Sequence, residues 1–280
     1  MEKEPVRQHY LPRMYLKNFV NENNKIWVFN DITKETKELS IKDTTVIKHF
    51  YTIEDKNGSK DYTLEHKLSE IETICSPIID KLINKEHITY EEKYSLSVFI
   101  ALLQNRTPQA KFQLTGFINS LLEHPCLNHY ETSLTKEQYW GILFNTALKY
   151  ADLYAHMDWV FYYTKIDAFF ITTDTPVSIY PTLDTNNTYG NIGIGRKGVI
   201  KQFVIAPNLL LRIFDISDNP VILYEHQSLN NRKIMRDLNK VILRFRNQFA
   251  IAKDAGHLEY LIKSIKYNKT SINIKRVSVL

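Results

Sequence analysis

The sequence predicts a mixed α+β protein with β segments in its N-terminal and C-terminal parts flanking a helical middle. Two patterns point to this. Short aromatic and β-branched runs bounded by turn residues fill residues 1–62 and return after residue 158. Between them, over 63–157, apolar residues recur every three or four positions, the period of an amphipathic helix. No flexible linker, repeat or low-complexity run divides these parts, so residues 1–280 read as a single domain.

The elements follow in order. Ile26-Trp27-Val28-Phe29, between Asn23-Asn24 and Asn30-Asp31, predicts a strand. A second runs from Leu39 to Ile47, and a third covers Phe50 to Ile53 with a turn at Lys56-Asn57-Gly58-Ser59. Leu64, Leu68, Ile71, Cys75, Ile78 and Leu82 form a helical stripe. Thr89 and Glu92 match a capping box for a second helix, which Pro108 ends or kinks. A third helix spans Gln109 to Glu123, and a fourth opens at Thr135 with Gln138 as its box partner and runs to about His156. Trp159–Thr164 and Ala168–Thr173 suggest a hairpin, and Asp184–Gly198 a long loop. Strands at Gln202–Ile205 and Leu209–Phe214, a helix over 228–247, a strand Phe249–Lys253 and a basic tail complete the chain.

Composition narrows the function classes. Hydrophobic residues at 44% allow a large core, while eight Gly and nine Pro exclude a fibrous or linker-dominated chain. No stretch approaches the ~18–20 apolar residues of a membrane span. The opening Met1-Glu2-Lys3-Glu4 is charged from its second residue, unlike a secretory leader. Cys75 and Cys126 make neither a disulfide framework nor a metal-ligand spacing. A cytoplasmic protein without a membrane partner is expected. Residues 1–189 carry 20 Lys and Arg against 25 Asp and Glu, a balance of −5, and residues 190–280 carry 16 against 6, a balance of +10. Such asymmetry fits either an anionic partner, nucleic acid first, or two halves that neutralise each other on folding.

Phosphate-binding Gly-rich loops, H-E-x-x-H, G-x-S-x-G and paired C-x-x-C are all absent, so any chemistry rests on dispersed residues. Gln8, His9, Tyr10, Arg13 and Tyr15 lie within eight positions. His9 is a candidate general acid or base, and equally a hydrogen-bonding anchor of the terminus. Glu65 and Glu72, seven apart on one helix face, sit at the edge of the buried stripe and need a cation, a donor or a metal. Their separation of about 10 Å along the axis is too wide for one ion without a third element. Arg106 continues the line of Ser95, Phe99 and Leu102, so it either pairs with Glu65 or Glu72 or grips a phosphate. Asp174 ends a buried-looking strand before Pro176, as a functional carboxylate or an Asx-turn. Arg232, Arg236, Lys240 and Arg244 recur every fourth residue, a band that tracks a phosphate backbone or simply a solvated helix face.

Taken in order, several segments resemble the domain-of-unknown-function 4238 family of bacteria and their mobile elements. They are Gln8-His9-Tyr10-x-Pro12-x-x-Tyr15-Leu16-x-x-Phe19, Trp27-Val28-Phe29, Phe50-Tyr51-Thr52, Leu64-Glu65-x-x-Leu68-x-x-Ile71-Glu72, Arg106-Thr107-Pro108, Ile171-Thr172-Thr173-Asp174-x-Pro176-Val177 and Leu238-Asn239. Thr173 stands where the family more often has Ser, and Phe203–Pro207 where a Pro-Leu-Ser-Pro-like string is usual. The resemblance carries no settled activity; some relatives look like single-gene anti-phage defence proteins, which implies a toxic or nucleic-acid-directed effector. By matching position it raises His9, Glu65, Glu72, Arg106 and Asp174 as site residues. The expectation is a nuclease, RNA before DNA, with His9 as acid or base, Arg106 on the developing phosphorane charge and no obligatory cofactor. Gln8, Tyr10 and Tyr15 would orient the substrate. In a divalent-metal variant Glu65, Glu72 and Asp174 are ligands. The alternative is a non-catalytic module that senses a phage component or nucleic acid. A homodimer and a phage-encoded trigger are compatible with both.

Overall fold

The chain enters the fold through β1 (Arg7–His9), Pro12, one helical turn α1 (Arg13–Leu16) and a 3-10 turn at Lys17–Phe19. The computed structural model describes residues 5–123, 134–165, 167–181, 193–214 and 224–267. Strands β2 (Lys25–Asn30) and β3 (Glu35–Ser40) pair antiparallel, with Ile26 and Val28 buried as the alternation in β2 requires. The single strand expected over 39–47 is two. A turn at 41–45, with the β-branched Thr45 at φ 56°, redirects the chain so that β4 (Val46–Lys48) pairs with β1 instead of extending β3.

Phe50-Tyr51-Thr52 is likewise no strand. The buried Gln8 side chain pins it, accepting the Tyr51 N–H at 2.6 Å and donating to the Thr52 hydroxyl at 2.9 Å. The strand pairing begins only at β5 (Ile53–Glu54) and returns in β6 (Lys60–Asp61) through Gly58, whose φ of +79° suits glycine.

The helices form where their caps lie. Helix α2 (Thr63–Ile83) buries Leu68, Cys75, Ile78, Ile79 and Leu82. Helix α3 (Tyr90–Asn105) opens on the Thr89–Glu92 capping box and buries residues nearly all round its axis, the mark of a central helix. Pro108 excludes helical geometry at Thr107, which stands extended and caps α4 (Pro108–Leu122) by accepting the Ala110 N–H. Arg106 is therefore held in the elbow between two helices. Helix α5 (Lys136–His156), opened by the Thr135–Gln138 box, packs along α3 through Tyr139, Trp140, Leu143, Ala147 and Tyr154.

Beyond the helices, β7 (Asp158–Thr164) does not form a hairpin with the segment after it. It pairs antiparallel with β11 (Leu209–Phe214) and parallel with β12 (Glu225–Leu229). Only Thr172–Thr173 of the expected partner is a strand, β8, and it joins another sheet. The five-stranded sheet has the order β12-β7-β11-β10-β9, with β9 at Val177–Pro181 and β10 at Val199–Ala206. All eight residues of β10 are buried, because it lies inside that sheet under α2 and the 3-10 turn.

The four-stranded sheet is β3-β2-β13-β8, where β13 is Phe249–Ala252. The expected helix over 228–247 begins later, as α6 (Arg232–Arg244), because Glu225–Leu229 is taken by β12 and Asn231 is the residue that caps, accepting from Lys233 and Ile234 N–H. Helix α7 (Ala255–Tyr267), which periodicity did not suggest, follows β13. The remainder of the basic tail, Cys126 and most of the expected 184–198 loop lie outside the described residues.

One hydrophobic cluster extends from Tyr10 to Ile262 across helices and both larger sheets. The N-terminal segment wedges the sheets together. Tyr15, fully buried, donates its hydroxyl to the Val204 carbonyl of β10 at 2.8 Å and lies 2.6 Å from the Thr172 hydroxyl of β8. Asn18 donates to the Ile205 carbonyl nearby. Asn239 on α6 completes the joint, accepting the Ile171 N–H and donating to the Phe169 carbonyl. Among the described residues, no helix is long and apolar enough to cross a membrane.

Candidate functional site

Four separate parts of the chain meet at Arg106. The helical elbow buries its guanidinium to 2% exposure. From there Nε donates to the Tyr10 carbonyl at 2.9 Å and Nη1 to Glu72 Oε1 at 2.8 Å. Nη2, equally buried, has no hydrogen-bond partner among the described residues. Burial works against the cation, but Glu72, Tyr51 and Glu65 outweigh it and keep the guanidinium charged. The Arg106 carbonyl accepts the Tyr51 hydroxyl at 3.1 Å.

Tyr51 is the hub. Its phenol is fully buried, which pushes its ionisation far up, and it feels Arg106, Glu65, Glu72 and Tyr139 around it. The neighbouring ring of Tyr10 is raised by burial too, and it lies in the field of Asp174 and Tyr51. The spacing of Glu65 and Glu72 on α2 brings both carboxylates to this cluster, and the two behave differently. Glu72 ion-pairs with Arg106 and keeps 24% of its side chain exposed. Among the described residues Glu65 has no such bond; burial raises its carboxyl to about 7, Arg106 opposing and Glu72 adding to the shift. A carboxyl that exchanges its proton near neutrality therefore stands beside an arginine with an unused donor.

The other expected site residues divide. Asp174 is 2% exposed and communicates with the cluster through Tyr10. Both its oxygens, however, accept main-chain N–H groups, from Asn247 at 2.9 Å and Gln248 at 2.8 Å, and burial raises its carboxyl to about 6. His9 is turned away. Alternation in β1 buries Gln8, and Tyr10 beyond it, on the side opposite His9. The His9 imidazole meets the Ile41 carbonyl at 3.2 Å, and its pKa is lowered by burial and by Arg13 and Arg7, against hydrogen bonds to Ile41 and Lys42. Gln8 and Tyr15 spend their polar atoms on the fold, as described above.

The divalent-metal variant does not find its ligand set. Among the described residues no three His, Cys, Asp or Glu side chains group closely enough to hold an ion. Asp174 is committed to two amides, and Glu72 to Arg106. On α6 the basic band is partly neutralised: Arg236 and Lys240 each approach Asp237 at 3.9 Å, and Arg236 bonds Tyr260. Arg232 and Arg244 face solvent. Tyr51 and Tyr139 had no assigned role in the sequence; for Tyr51 the only signal was its place in the Phe50-Tyr51-Thr52 string.

The fold and this cluster define a mixed α+β protein organised about a buried arginine–carboxylate–tyrosine centre. The chain belongs to the DUF4238 family, proteins of unknown function, whose family model matches residues 7–256. No curated protein and no solved structure shows a significant match.

The Glu65 environment has a consequence for stability. A carboxyl that holds its proton longer when folded favours the folded state fully below about pH 4.5: the folded state binds the extra proton between about 4.5 and about 7, so stability falls as pH rises through that window and levels beyond it. Glu65→Gln removes this dependence. The melting temperature of the variant relative to wild type is expected to climb from about pH 5 to about pH 8, read by thermal denaturation in matched buffers.

Proposed function

We propose that the protein is a cytoplasmic anti-phage defence effector that cleaves phosphodiester bonds, RNA before DNA, at the Arg106–Glu65–Glu72–Tyr51 centre. The observation that carries this reading is the Glu65 carboxyl, raised to about 7 beside the half-used guanidinium of Arg106. Glu65 takes the role that the sequence offered to His9. It accepts the proton of the attacking oxygen, a water or the 2′-hydroxyl of RNA, and can return one to the leaving oxygen. The Arg106 guanidinium, its plane fixed by Glu72 and the Tyr10 carbonyl, places positive charge behind the phosphoryl oxygens as their charge builds. The exposed Arg232 and Arg244 of α6 add a positive surface that attracts polyanions.

A second reading is favoured by one specific feature: the hydrogen bonds of Gln8, Arg106 and Asp174 end largely on main-chain groups. Under it the same residues hold the fold of a module that senses a phage component or nucleic acid without cleaving it.

Inducible expression in bacteria tests the proposal. With wild-type protein, total RNA resolved over time is expected to fragment before chromosomal DNA does. Intact RNA and DNA throughout growth arrest, or at protein levels that protect against phage, would leave only the sensor reading standing.

A further inference from the structure

We infer that the five-stranded sheet binds the unpaired bases of a single-stranded RNA around Arg212, on the face opposite Tyr15 and Phe99. Register separates the two faces. On one, Phe161, Phe203 and Leu211 are buried, and the Phe203 ring meets Tyr15 and Phe99. On the other, Arg212 of β11 stands opposite Gln202 of β10 and Val160 of β7, with Phe214 and Tyr162 two residues along their strands on the same side. Here Tyr162, Tyr180, Arg212 and Phe214 are only half-buried.

Arg212 is the group the fold leaves unexplained. Its guanidinium carbon lies 5.1 Å from the centre of the Phe214 ring and 6.0 Å from that of Tyr162. Nη2 donates to the Tyr180 hydroxyl at 3.3 Å, and that hydroxyl donates to Gln202 Oε1 at 2.7 Å. Among the described residues no carboxylate pairs with it. Of the acids on this face, Glu225 accepts from Gln227 at 3.1 Å, and Asp158 lies in the field of Lys93. A half-buried cation without an anion is costly, and a phosphate or a base edge relieves it. Nε is sealed, whereas Nη1 is open and has no hydrogen-bond partner among the described residues.

The surroundings select the ligand. Half-buried rings beside a guanidinium plane stack on planar bodies, and every base presents such a face. The Tyr180 ring lies 6.1 Å from that of Phe245, the residue that closes α6, so the exposed Arg244 adjoins the platform. Arg232, also exposed, stands about 18 Å back along the same helix, within reach of further phosphates of one strand. A duplex keeps its bases stacked on one another and leaves the rings bare.

The inference rests on the proposed reading for its choice of RNA, and the test keeps the two apart. Fluorescence anisotropy compares a labelled oligoribonucleotide, alone and annealed to its complement, on the full chain carrying Glu65→Gln, so that cleavage does not consume the strand. The single strand is expected to bind about tenfold or more tighter than the duplex. Tyr162→Leu and Phe214→Leu keep apolar cover and lose the ring; each is expected to weaken the single strand about fivefold or more, leaving duplex affinity and melting temperature near the parent values. Arg212→Gln should weaken it to a similar extent. Equal affinity for the two forms, no saturable binding of the single strand, or single-strand affinity unmoved by Tyr162→Leu and Phe214→Leu would overturn the inference. Selective single-strand binding without cleavage by the wild-type chain would uphold it and sink the nuclease proposal; RNA cleavage undiminished in both leucine variants would do the reverse.

Discussion

Arg106→Ala is expected to lower the free energy of unfolding by about 3–5 kcal/mol, the cost of removing one partner of a buried ion pair. For a chain of this length that is a drop in melting temperature on the order of 10 °C. The mechanism has three parts: Glu72 loses its cation, the Tyr10 carbonyl loses its donor, and a cavity opens in the elbow between α3 and α4. Two further variants identify the cause. Arg106→Lys keeps the charge but not the geometry that reaches Tyr10 and Glu72 together, and should fall between wild type and alanine. Adding Glu72→Gln to Arg106→Ala removes the stranded carboxylate and should recover part of the loss. If Arg106→Ala melts within a degree or two of wild type, the network does not hold the N-terminal segment to the helices.

Asp174→Ala is the second large effect. Both carboxylate oxygens serve main-chain donors at the junction of α6 and β13, and alanine leaves the Asn247 and Gln248 N–H groups unmatched in a buried setting. The expected cost is about 2–4 kcal/mol by chemical denaturation. Asp174→Asn keeps one acceptor and turns an amide N–H toward the other donor, so it should cost about half as much. A loss of activity in Asp174→Asn without loss of stability would instead assign this carboxylate to the chemistry.

The local signals in the sequence carried the helical middle. Thr89 with Glu92, Thr135 with Gln138, and Pro108 act within one turn of chain, and each sits where the spacing placed it. Strand partners were not legible in the same way. Thr172–Thr173 pairs with Ala250 and Ile251, nearly eighty residues on, and nothing in its own alternation distinguishes that partner from the nearby β7. Phe50–Thr52 has strand composition, yet the Gln8 side chain takes the Tyr51 N–H and the Thr52 hydroxyl, and Trp140 takes the Phe50 carbonyl, substitutes that hydropathy patterning does not register.

At the site, helical period correctly suggested that Arg106 meets a glutamate of α2, and Glu72 is the one it pairs with. The His9 reading treated residues 8–15 as one cluster. Strand alternation over Arg7–His9 separates the imidazole from Gln8 and Tyr10, and that alternation was obscured because β1 is only three residues long. The raised carboxyl of Glu65 needed the tertiary structure, since burial, not spacing, produces it.

The central claim is that Glu65 moves a proton during phosphodiester cleavage. Its most direct measurement compares purified wild type and Glu65→Gln side by side at pH 7, following both RNA cleavage and thermal melting. The account predicts a rate lowered by about 10²- to 10⁴-fold with a melting temperature equal to or above that of wild type. Cleavage by the variant at the wild-type rate would contradict it.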